Sequence, residues 1–318
     1  MHYDVFNGDA DGIISLLQLR LVNPQHSQLV TGVKRDIQLL ESLTLQSEDS
    51  LTVLDISMSR NQQGLLRALE CGVKVFYADH HKSGDIPQRA NLEAHINLDA
   101  NTCTALIIDQ LLQGRFHHWA IAAAYGDNLI TRADELAVAA GLSAAQAEQL
   151  KELGTLINYN GYGESIEDLH FHPAKLFEAL LAYDDPFAVI AAQDSPYHVL
   201  RAAYEQDMAL AQALTAAYQD DSVALFKLPN SAASRRISGV YGNWLANQSP
   251  SRAHLVLSEN SQQGYTVSLR APLNNKQGAG ELCSRFVTGG GREAAGGINH
   301  LAPTQLEELI AQVSGYYR

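Results

Sequence analysis

Three apolar stretches of the sequence each run directly into side chains that can bind a metal ion or move a proton. The first, YDVF at residues 3–6, is followed by the hexapeptide NGDADG. The second, LTVL at residues 51–54, is followed by Asp55, and the third ends at Ala78 and is followed by the triplet DHH at residues 79–81. Carboxylate oxygens combined with imidazole nitrogens suit manganese, magnesium or iron better than a metal that prefers thiolates. These residue types therefore predict a metal centre.

The apolar stretches have the pattern of β-strands, and their order predicts how the polar groups meet. Helix-like segments separate the stretches, and strands that alternate with helices pair in parallel through right-handed crossovers. In such a sheet the ligand crevice lies outside the carboxyl ends of the strands, where all three polar groups stand. Taken singly, Asp55 is equally consistent with a helix cap, and Asp127 with a turn residue. The interpretation as a metal centre depends on the joint pattern.

The remaining pattern predicts an α/β protein with two domains joined by a long helix. Residues 1–194 form a domain with a mainly parallel sheet, residues 195–220 a linker helix, and residues 221–318 a smaller α/β domain. Further segments with a strand or helix pattern are strands at 30–33, 94–98, 223–226, 253–257 and 265–269, and helices at 36–43, 59–70, 197–218, 234–246 and 305–313.

Composition and charge exclude several classes of protein. The chain has 318 residues, of which 46% are hydrophobic, enough to fill two cores. Its net charge of −13 argues against a protein that wraps long nucleic acid, because such binding needs a basic surface. The three cysteines are widely spaced, no secretory leader is visible, and no apolar run approaches the ~20 residues of a membrane span. We therefore expect a cytoplasmic protein without a membrane partner.

The segments that carry the polar residues resemble the motifs of the DHH phosphoesterases, a family that includes RecJ-type exonucleases, NrnA-type oligoribonucleases, cyclic dinucleotide phosphodiesterases and exopolyphosphatases. Near the C-terminus, GGGREAAGG at residues 289–297 resembles the glycine-rich signature of the substrate-binding domain that accompanies many members, and SLR at residues 268–270 resembles its arginine strand. The resemblance implies an active site in the cleft between the two domains. The four N-terminal matches are NGDADG at 7–12, VLD at 53–55, ADHH at 78–81 and GDN at 126–128.

The resemblance also implies roles for individual residues. The centre would hold two divalent ions, manganese foremost with magnesium or iron as alternatives, and Asp55 would bridge them. His81 would contact the scissile phosphate, and Asp79 would orient a histidine. The residues assigned to the metal ions are Asn7, Asp9, Asp55, His80 and Asp127.

The first motif departs from the family pattern. That motif usually reads Asp-x-Asp-Ala-x-Gly, often with a histidine four residues upstream, whereas this sequence has Asn7 and Tyr3 at the two positions. Asp11 is an additional acid, and His2 or Asp4 could contribute if the strand shifts. Three interpretations remain open: one ion binds weakly and arrives with the substrate, the ligand set is rebuilt, or the site is inactive.

The glycine-rich run and two arginines are the candidates for substrate binding. Gly289, Gly290 and Gly291 would let backbone amides approach a phosphate or a base, although three glycines are equally consistent with a flexible turn before a helix. Arg270 and Arg292 could bind a terminal phosphate or a guanine edge through two N–H groups. A separate stretch, LINYNGYG at residues 156–163, either lines the cleft or stacks a base, or else forms a surface turn.

Together these features predict a metal-dependent phosphodiesterase that hydrolyses very short nucleotides, such as pGpG or RNA of a few residues, to 5′-mononucleotides. The charge favours a short nucleotide over long nucleic acid as the partner, and the sequence leaves a homodimer open. A RecJ-like single-strand exonuclease is one alternative. It would need additional nucleic-acid-binding modules, which this chain is not expected to carry. Hydrolysis of polyphosphate or pyrophosphate is another alternative, and a dinucleotide sensor without catalysis is the third.

Overall fold

The computed structural model describes residues 1–318 and divides into two compact units, Met1–Ala202 and Ala203–Arg318. The division falls within the helix Pro196–Gln212. None of the helices combines the length and the apolar character needed to cross a membrane.

The first unit is built on a five-stranded sheet in which every neighbouring pair is parallel. The strand order is β2-β1-β3-β4-β5, so the chain leaves β1 toward one side of the sheet and β3 stands on the other side. Ligand crevices of open α/β sheets form at such a switch point, outside the carboxyl ends of the strands. The strands are β1 (His2–Phe6), β2 (Gln28–Val30), β3 (Ser50–Leu54), β4 (Lys74–Asp79) and β5 (Leu92–Ile96).

Eight helices belong to this unit and a ninth spans the division, and the first of them is buried on almost every face. Helix α1 packs against β1 and β3 on one side and against α3, α4, α6 and α7 on the other, which explains why residues 10–18 are all buried. The helices are α1 (Ala10–Val22), α2 (Gln62–Glu70), α3 (Thr104–Leu111), α4 (His117–Gly126), α5 (Ile130–Ala139), α6 (Ala144–Asn160), α7 (Pro173–Leu180), α8 (Pro186–Ala191) and α9 (Pro196–Gln212).

Apolar side chains fill the space beneath the sheet on the side of α2. Val53, Leu65 and Tyr77 are among the fully buried members of this cluster. The Tyr77 hydroxyl donates a hydrogen bond of 2.8 Å to the carbonyl oxygen of Ile56, so the one polar atom of that ring is satisfied inside the core. The apolar runs that precede the acidic residues are therefore core strands, which fixes the positions at which those strands end.

The second unit contains a six-stranded sheet of order β10-β11-β9-β8-β7-β6. Strands β7 and β8 are parallel and α10 connects them, whereas the other neighbouring pairs are antiparallel. The elements are β6 (Tyr218–Gln219), β7 (Val223–Leu228), α10 (Ala232–Gln248), β8 (Ala253–Glu259), β9 (Tyr265–Arg270), α11 (Ala279–Ser284), β10 (Gly289–Gly291), β11 (Ala295–Leu301) and α12 (Leu306–Tyr317).

The structure confirms the predicted fold class, an α/β chain with a parallel sheet followed by a second α/β unit, and corrects several elements. Residues 36–43 do not form an α-helix: only a 3₁₀ turn, Leu39–Ser42, is present. The Asp36 carboxylate accepts a hydrogen bond of 3.0 Å from the Val33 amide, so this side chain stabilises a loop in place of a helix. The long helix predicted up to Tyr218 ends at Gln212, and Tyr218 pairs with Leu225 as a strand.

The glycine-rich run forms a strand instead of a turn before a helix. Gly289, Gly290 and Gly291 make up β10, which pairs with β11. A Cβ atom at Gly289 would lie 1.8 Å from the carbonyl oxygen of Cys283, so a larger residue is excluded there by the packing of α11 against the strand. Neither β10 nor β11 was predicted, because glycines carry no hydrophobic pattern.

Candidate metal centre

The loops after β1, β3 and β4 bring the predicted acidic and histidine residues of the first unit together. Asp9 begins α1, and its Oδ1 accepts hydrogen bonds from the amides of Asp11 at 3.0 Å and Gly12 at 3.1 Å. Asp55 follows β3 with a φ of 58°, a left-handed conformation that is uncommon for residues other than glycine. Asp127 follows α4 as its C-terminal cap residue.

His80 is held in an orientation that suits a metal ligand. Its Nδ1 lies 2.9 Å from the carbonyl oxygen of Thr102. A carbonyl only accepts hydrogen bonds, so Nδ1 carries a proton and donates it, which leaves Nε2 to face the interior. That Nε2 lies 3.4 Å from Asp55 Oδ1, 3.6 Å from Asp11 Oδ2 and 3.9 Å from Asp127 Oδ2. A backbone carbonyl on the far nitrogen is the usual arrangement for a histidine that binds a metal.

His81 is oriented by its neighbour in the triplet. Its Nδ1 donates a hydrogen bond of 2.7 Å to Asp79 Oδ1 and lies 3.7 Å from Asp55 Oδ1. Asp79 is fully buried, and its second oxygen, Oδ2, has no hydrogen-bond partner. The His81 side chain keeps 31% of its surface exposed, so its other edge is accessible to a ligand.

The charges of this cluster repel one another. Burial, followed by the carboxylates of Asp11 and Asp9, raises the pKa of Asp55 well above its usual range. A hydroxyl group supplies partial compensation, because Thr104 Oγ1 lies 3.1 Å from Asp55 Oδ1 and donates to it. A cation among these oxygens would offset the remaining repulsion.

The residues present fit a divalent cation. Asp55, His80 and His81 offer ligand atoms that all lie within 4.8 Å of one another. Carboxylate oxygen with imidazole nitrogen suits Mn²⁺ or Fe²⁺, and the absence of a cysteine from this group argues against a metal that requires thiolates.

Lys34 also lies in the centre, although no motif of the sequence includes it. Its Nζ donates to Asp9 Oδ2 and, at 3.0 Å, to Asn158 Oδ1, and it lies 5.4 Å from the centroid of the Tyr162 ring. Burial alone would lower the pKa of this ammonium group, but Asp9, Tyr162 and Asp127 raise it overall, so Lys34 is positively charged. The Asp9 pKa is lowered in turn, because the contact with Lys34 outweighs the effect of burial.

Asp11 is a second residue whose place the sequence did not predict. Its two oxygens accept hydrogen bonds from the amides of Thr104 at 2.8 Å and Ala105 at 2.7 Å, which are the first residues of α3. Asp11 therefore joins the start of α1 to the start of α3 and places a carboxylate oxygen beside His80. The additional acid in the hexapeptide was the only signal for this residue.

The side-chain amide of Asn7 forms hydrogen bonds with backbone groups. Its Oδ1 accepts a hydrogen bond of 3.2 Å from the Asp9 amide, and its Nδ2 donates one of 3.3 Å to the Lys34 carbonyl. These contacts connect the loop after β1 to the loop that carries Lys34. The assignment of Asn7 to a metal ion stays a prediction.

The stretch at residues 156–163 is not a surface turn. Asn158, Tyr159 and Asn160 are buried at the end of α6. Asn158 contacts Lys34, while Asn160 exchanges hydrogen bonds of 2.8 and 2.9 Å with the backbone of Phe171. Its amide side chains therefore support the centre, and base stacking by this stretch stays a prediction.

The predicted substrate-binding residues lie in the second unit. The Arg270 guanidinium donates to Asn243 Oδ1 at 2.5 Å, to Ser268 Oγ at 2.9 Å and to the Gly239 carbonyl at 3.1 Å. The exposed Arg292 follows β10 and pairs through its amide with the Ala295 carbonyl at 2.8 Å. Arg270 is thus engaged by its own unit, and substrate contacts by Arg270, Arg292 and the three glycines stay predictions.

Comparison with solved structures shows which proteins share this fold. RecJ from Thermus thermophilus, in complex with Mn²⁺, matches with a TM-score of 0.64 at 18% identity; the match covers 99% of this chain, which spans only 52% of that RecJ chain. The pGpG-specific phosphodiesterase PggH from Vibrio cholerae matches with a TM-score of 0.56 at 14% identity, over 100% of this chain and 99% of that one.

A third solved structure, an exopolyphosphatase-related protein from Bacteroides fragilis, matches with a TM-score of 0.51 at 13% identity, over 99% of this chain and 92% of that one. No family model matches the sequence, and no curated protein does. The structural matches extend over essentially the whole chain. The chain therefore shares the fold of these solved structures.

Proposed function

We propose that this protein is a divalent-metal-dependent phosphodiesterase that hydrolyses very short nucleotides, such as pGpG, to 5′-mononucleotides. The observation that carries the proposal is the position of His80, whose Nε2 faces Asp11, Asp55 and Asp127 while Thr102 holds its Nδ1. This arrangement stands at the carboxyl ends of parallel strands, where α/β sheets place their ligands.

Each residue of the cluster has a part in the proposed reaction. Asp55 and His80 would hold the ion, for which manganese is our first choice because the similar RecJ structure from Thermus thermophilus contains it. Held by these residues, such an ion would supply polarisation of a phosphoryl oxygen and activation of water at neutral pH. Asp79 fixes Nδ1 of His81, so the opposite edge of that imidazole is available to a phosphoryl oxygen or to the leaving 3′ oxygen.

Two observations support a short substrate. Binding to long nucleic acid requires basic side chains that neutralise many phosphates and release their counterions. A net charge of −13 disfavours such binding. In addition, one structural neighbour that matches over nearly its full length is a pGpG-specific phosphodiesterase. We therefore place dinucleotides ahead of long single-stranded DNA and of polyphosphate.

Binding without hydrolysis is the second candidate. Asp9 is paired with Lys34, and the Asn7 amide is occupied by backbone groups, so two residues predicted to bind metal are already engaged. These contacts favour a dinucleotide sensor if the remaining ligands hold no ion.

A hydrolysis panel tests the proposal against both alternatives. Purified protein with Mn²⁺, Mg²⁺ or Fe²⁺ would receive pGpG, pApA, a five-nucleotide RNA, long single-stranded DNA, a cyclic dinucleotide and polyphosphate, and products would be separated by chromatography. We expect mononucleotides from the dinucleotides at a rate at least tenfold above that for long DNA. Preferred release from DNA or polyphosphate would contradict the proposed substrate, and tight binding of pGpG without product would favour the sensor.

A further inference from the structure

We propose that the Lys34 ammonium occupies the cation position beside Asp9, so that the centre binds one divalent ion, at Asp55 and His80, in place of two. This inference refines the proposed function, on which its catalytic meaning rests. It concerns a residue that lies between the predicted motifs in sequence and that only the folded chain brings to the acidic cluster.

The ammonium group has the contacts of a bound cation. Two of its three N–H groups are directed at oxygen atoms, Asp9 Oδ2 and Asn158 Oδ1, and the ring of Tyr162 lies 5.4 Å away. Asn158 is itself 97% buried, so its amide oxygen has been withdrawn from water to face this group. Such a set of an anion, a carbonyl dipole and an aromatic ring is the usual environment of a buried positive charge.

Hydrogen bonds from the backbone of Lys34 to two other segments keep this residue in place. The backbone amide of Lys34 donates a hydrogen bond of 2.8 Å to the carbonyl oxygen of Gly161. The backbone carbonyl of Lys34 accepts one of 3.3 Å from the side-chain amide of Asn7. The residue is therefore attached to the loop after β1 and to the end of α6. Contacts at the ammonium, the backbone amide and the backbone carbonyl fix the position of the charge, whereas the ammonium of a surface lysine would move freely.

The cluster then separates into two parts. Asp55 and His80 form one part, with His81 beside them, and the ligand atoms of all three lie within 4.8 Å of one another. Asp9 forms the other part together with Lys34, and Asn7 is neutral and bonded to backbone. A divalent ion at Asp9 would have to displace the ammonium or remain next to it, and like charges at such a distance repel strongly in a buried site.

The Lys34 side chain keeps 24% of its surface exposed, so a phosphoryl oxygen of the substrate could reach the ammonium group. In this position the ammonium would neutralise one phosphate oxygen as a second metal ion would, without requiring an additional set of ligands.

Manganese binding by the whole chain tests the inference without any substrate. Equilibrium dialysis with elemental analysis would count Mn²⁺ bound to the wild type, to Lys34→Met and to Lys151→Met, which removes the same charge from the exposed face of α6. We expect one Mn²⁺ per chain in the wild type and in Lys151→Met. We expect Lys34→Met to bind a second ion, or to bind Mn²⁺ at least tenfold more tightly, because Asp9 is released.

Two ions or none in the wild type would overturn the inference, as would affinity that is unchanged or weaker in Lys34→Met. Circular dichroism establishes that each variant is folded, and Lys34→Gln serves as the second variant if Lys34→Met is not. Electron paramagnetic resonance gives an independent count, since one isolated Mn²⁺ and two neighbouring Mn²⁺ ions have different spectra. A wild type that binds one ion but hydrolyses no nucleotide would reject the proposed function and leave the cation count standing.

Discussion

Asp79 shows how a fully buried acid can serve a neighbouring histidine. It contacts His81 through one oxygen only, and its other oxygen has no partner. In an Asp79→Asn variant the side chain keeps its shape but loses the charge that holds the His81 N–H. We expect kcat to fall by about 10–100-fold, as is usual when the partner of a functional histidine is changed. Steady-state kinetics across pH and a Mn²⁺ titration check this expectation.

The Mn²⁺ titration separates positioning from metal binding. For Asp79→Asn we expect unchanged Mn²⁺ affinity, a lower kcat and an altered pH profile. Loss of Mn²⁺ in proportion to activity would instead make Asp79 a metal ligand and contradict its positioning role.

Asn7 is where the sequence departs from the motif that it resembles, and the structure shows which contacts this asparagine makes. Its Nδ2 donates to the Lys34 carbonyl, so a carboxylate at this position would face that carbonyl without a donor. We expect Asn7→Asp to lower turnover by about tenfold, the equivalent of one lost hydrogen bond. The comparison of kcat on pGpG with that of the wild type checks this. A sharp increase in turnover would show that the wild-type centre lacks a metal ligand which aspartate restores.

At the scale of elements, the close approach of α1 to the loop after β1 makes one glycine indispensable. A Cβ atom at Gly12 would lie 2.2 Å from the carbonyl oxygen of Asn7. Alanine normally stabilises a helix relative to glycine, but here the steric overlap dominates. We expect Gly12→Ala to lower the free energy of unfolding by at least about 2 kcal/mol, measured by urea denaturation.

Gly315 provides the matched control because it also lies in a helix, α12, and an added Cβ would have no neighbour within 4 Å. We expect Gly315→Ala to stabilise the protein by about 0.5 kcal/mol. Equal effects at the two positions would show that the packing of Gly12 against Asn7 is not tight.

A buried ion pair connects β1 to α1 and has a defined pH dependence. Burial alone would raise the pKa of Asp4, but hydrogen bonds from Arg20, His2 and Ser27 lower it to about 2. Because this value is below that of the unfolded chain, the stabilisation is complete above about pH 4 and is lost as the pH falls toward 2. Its size is about 2 kcal/mol.

The Asp4→Asn variant isolates this contribution because asparagine does not ionise. We expect the variant to be less stable than the wild type at pH 5, with a difference that shrinks steadily between pH 4 and pH 2. Chemical denaturation at each pH measures it. A difference that does not depend on pH would show that the ionisation of Asp4 contributes nothing to stability.

For the whole molecule, the parts that the sequence predicted are those with a local hydrophobic pattern. The strands before Asp55 and the DHH triplet are core strands, and parallel pairing follows from the helices between them. The order of the strands then brings their carboxyl ends together, so the proximity of Asp55, His80 and His81 follows from local pattern and topology.

The unpredicted parts depend on contacts between distant segments. Lys34 meets Asn158, which is 124 positions away in the sequence, and neither residue stands out in its own segment. Asp11 gains its position from α3, over more than 90 positions. Strand β10 consists of glycines, whose placement depends on α11 and β11. Such features follow from tertiary packing, which a single sequence does not display.

His80 is the residue that we propose places a metal ion for phosphodiester hydrolysis. The most direct measurement is the release of GMP from pGpG with Mn²⁺ by the wild type, His80→Gln and His95→Gln, the last being a histidine on β5 that contacts Glu93. We expect GMP release by the wild type and His95→Gln, and a rate at least about 10²-fold lower for a folded His80→Gln that binds less Mn²⁺. Full activity of a folded His80→Gln would show that His80 does not place a catalytic metal ion.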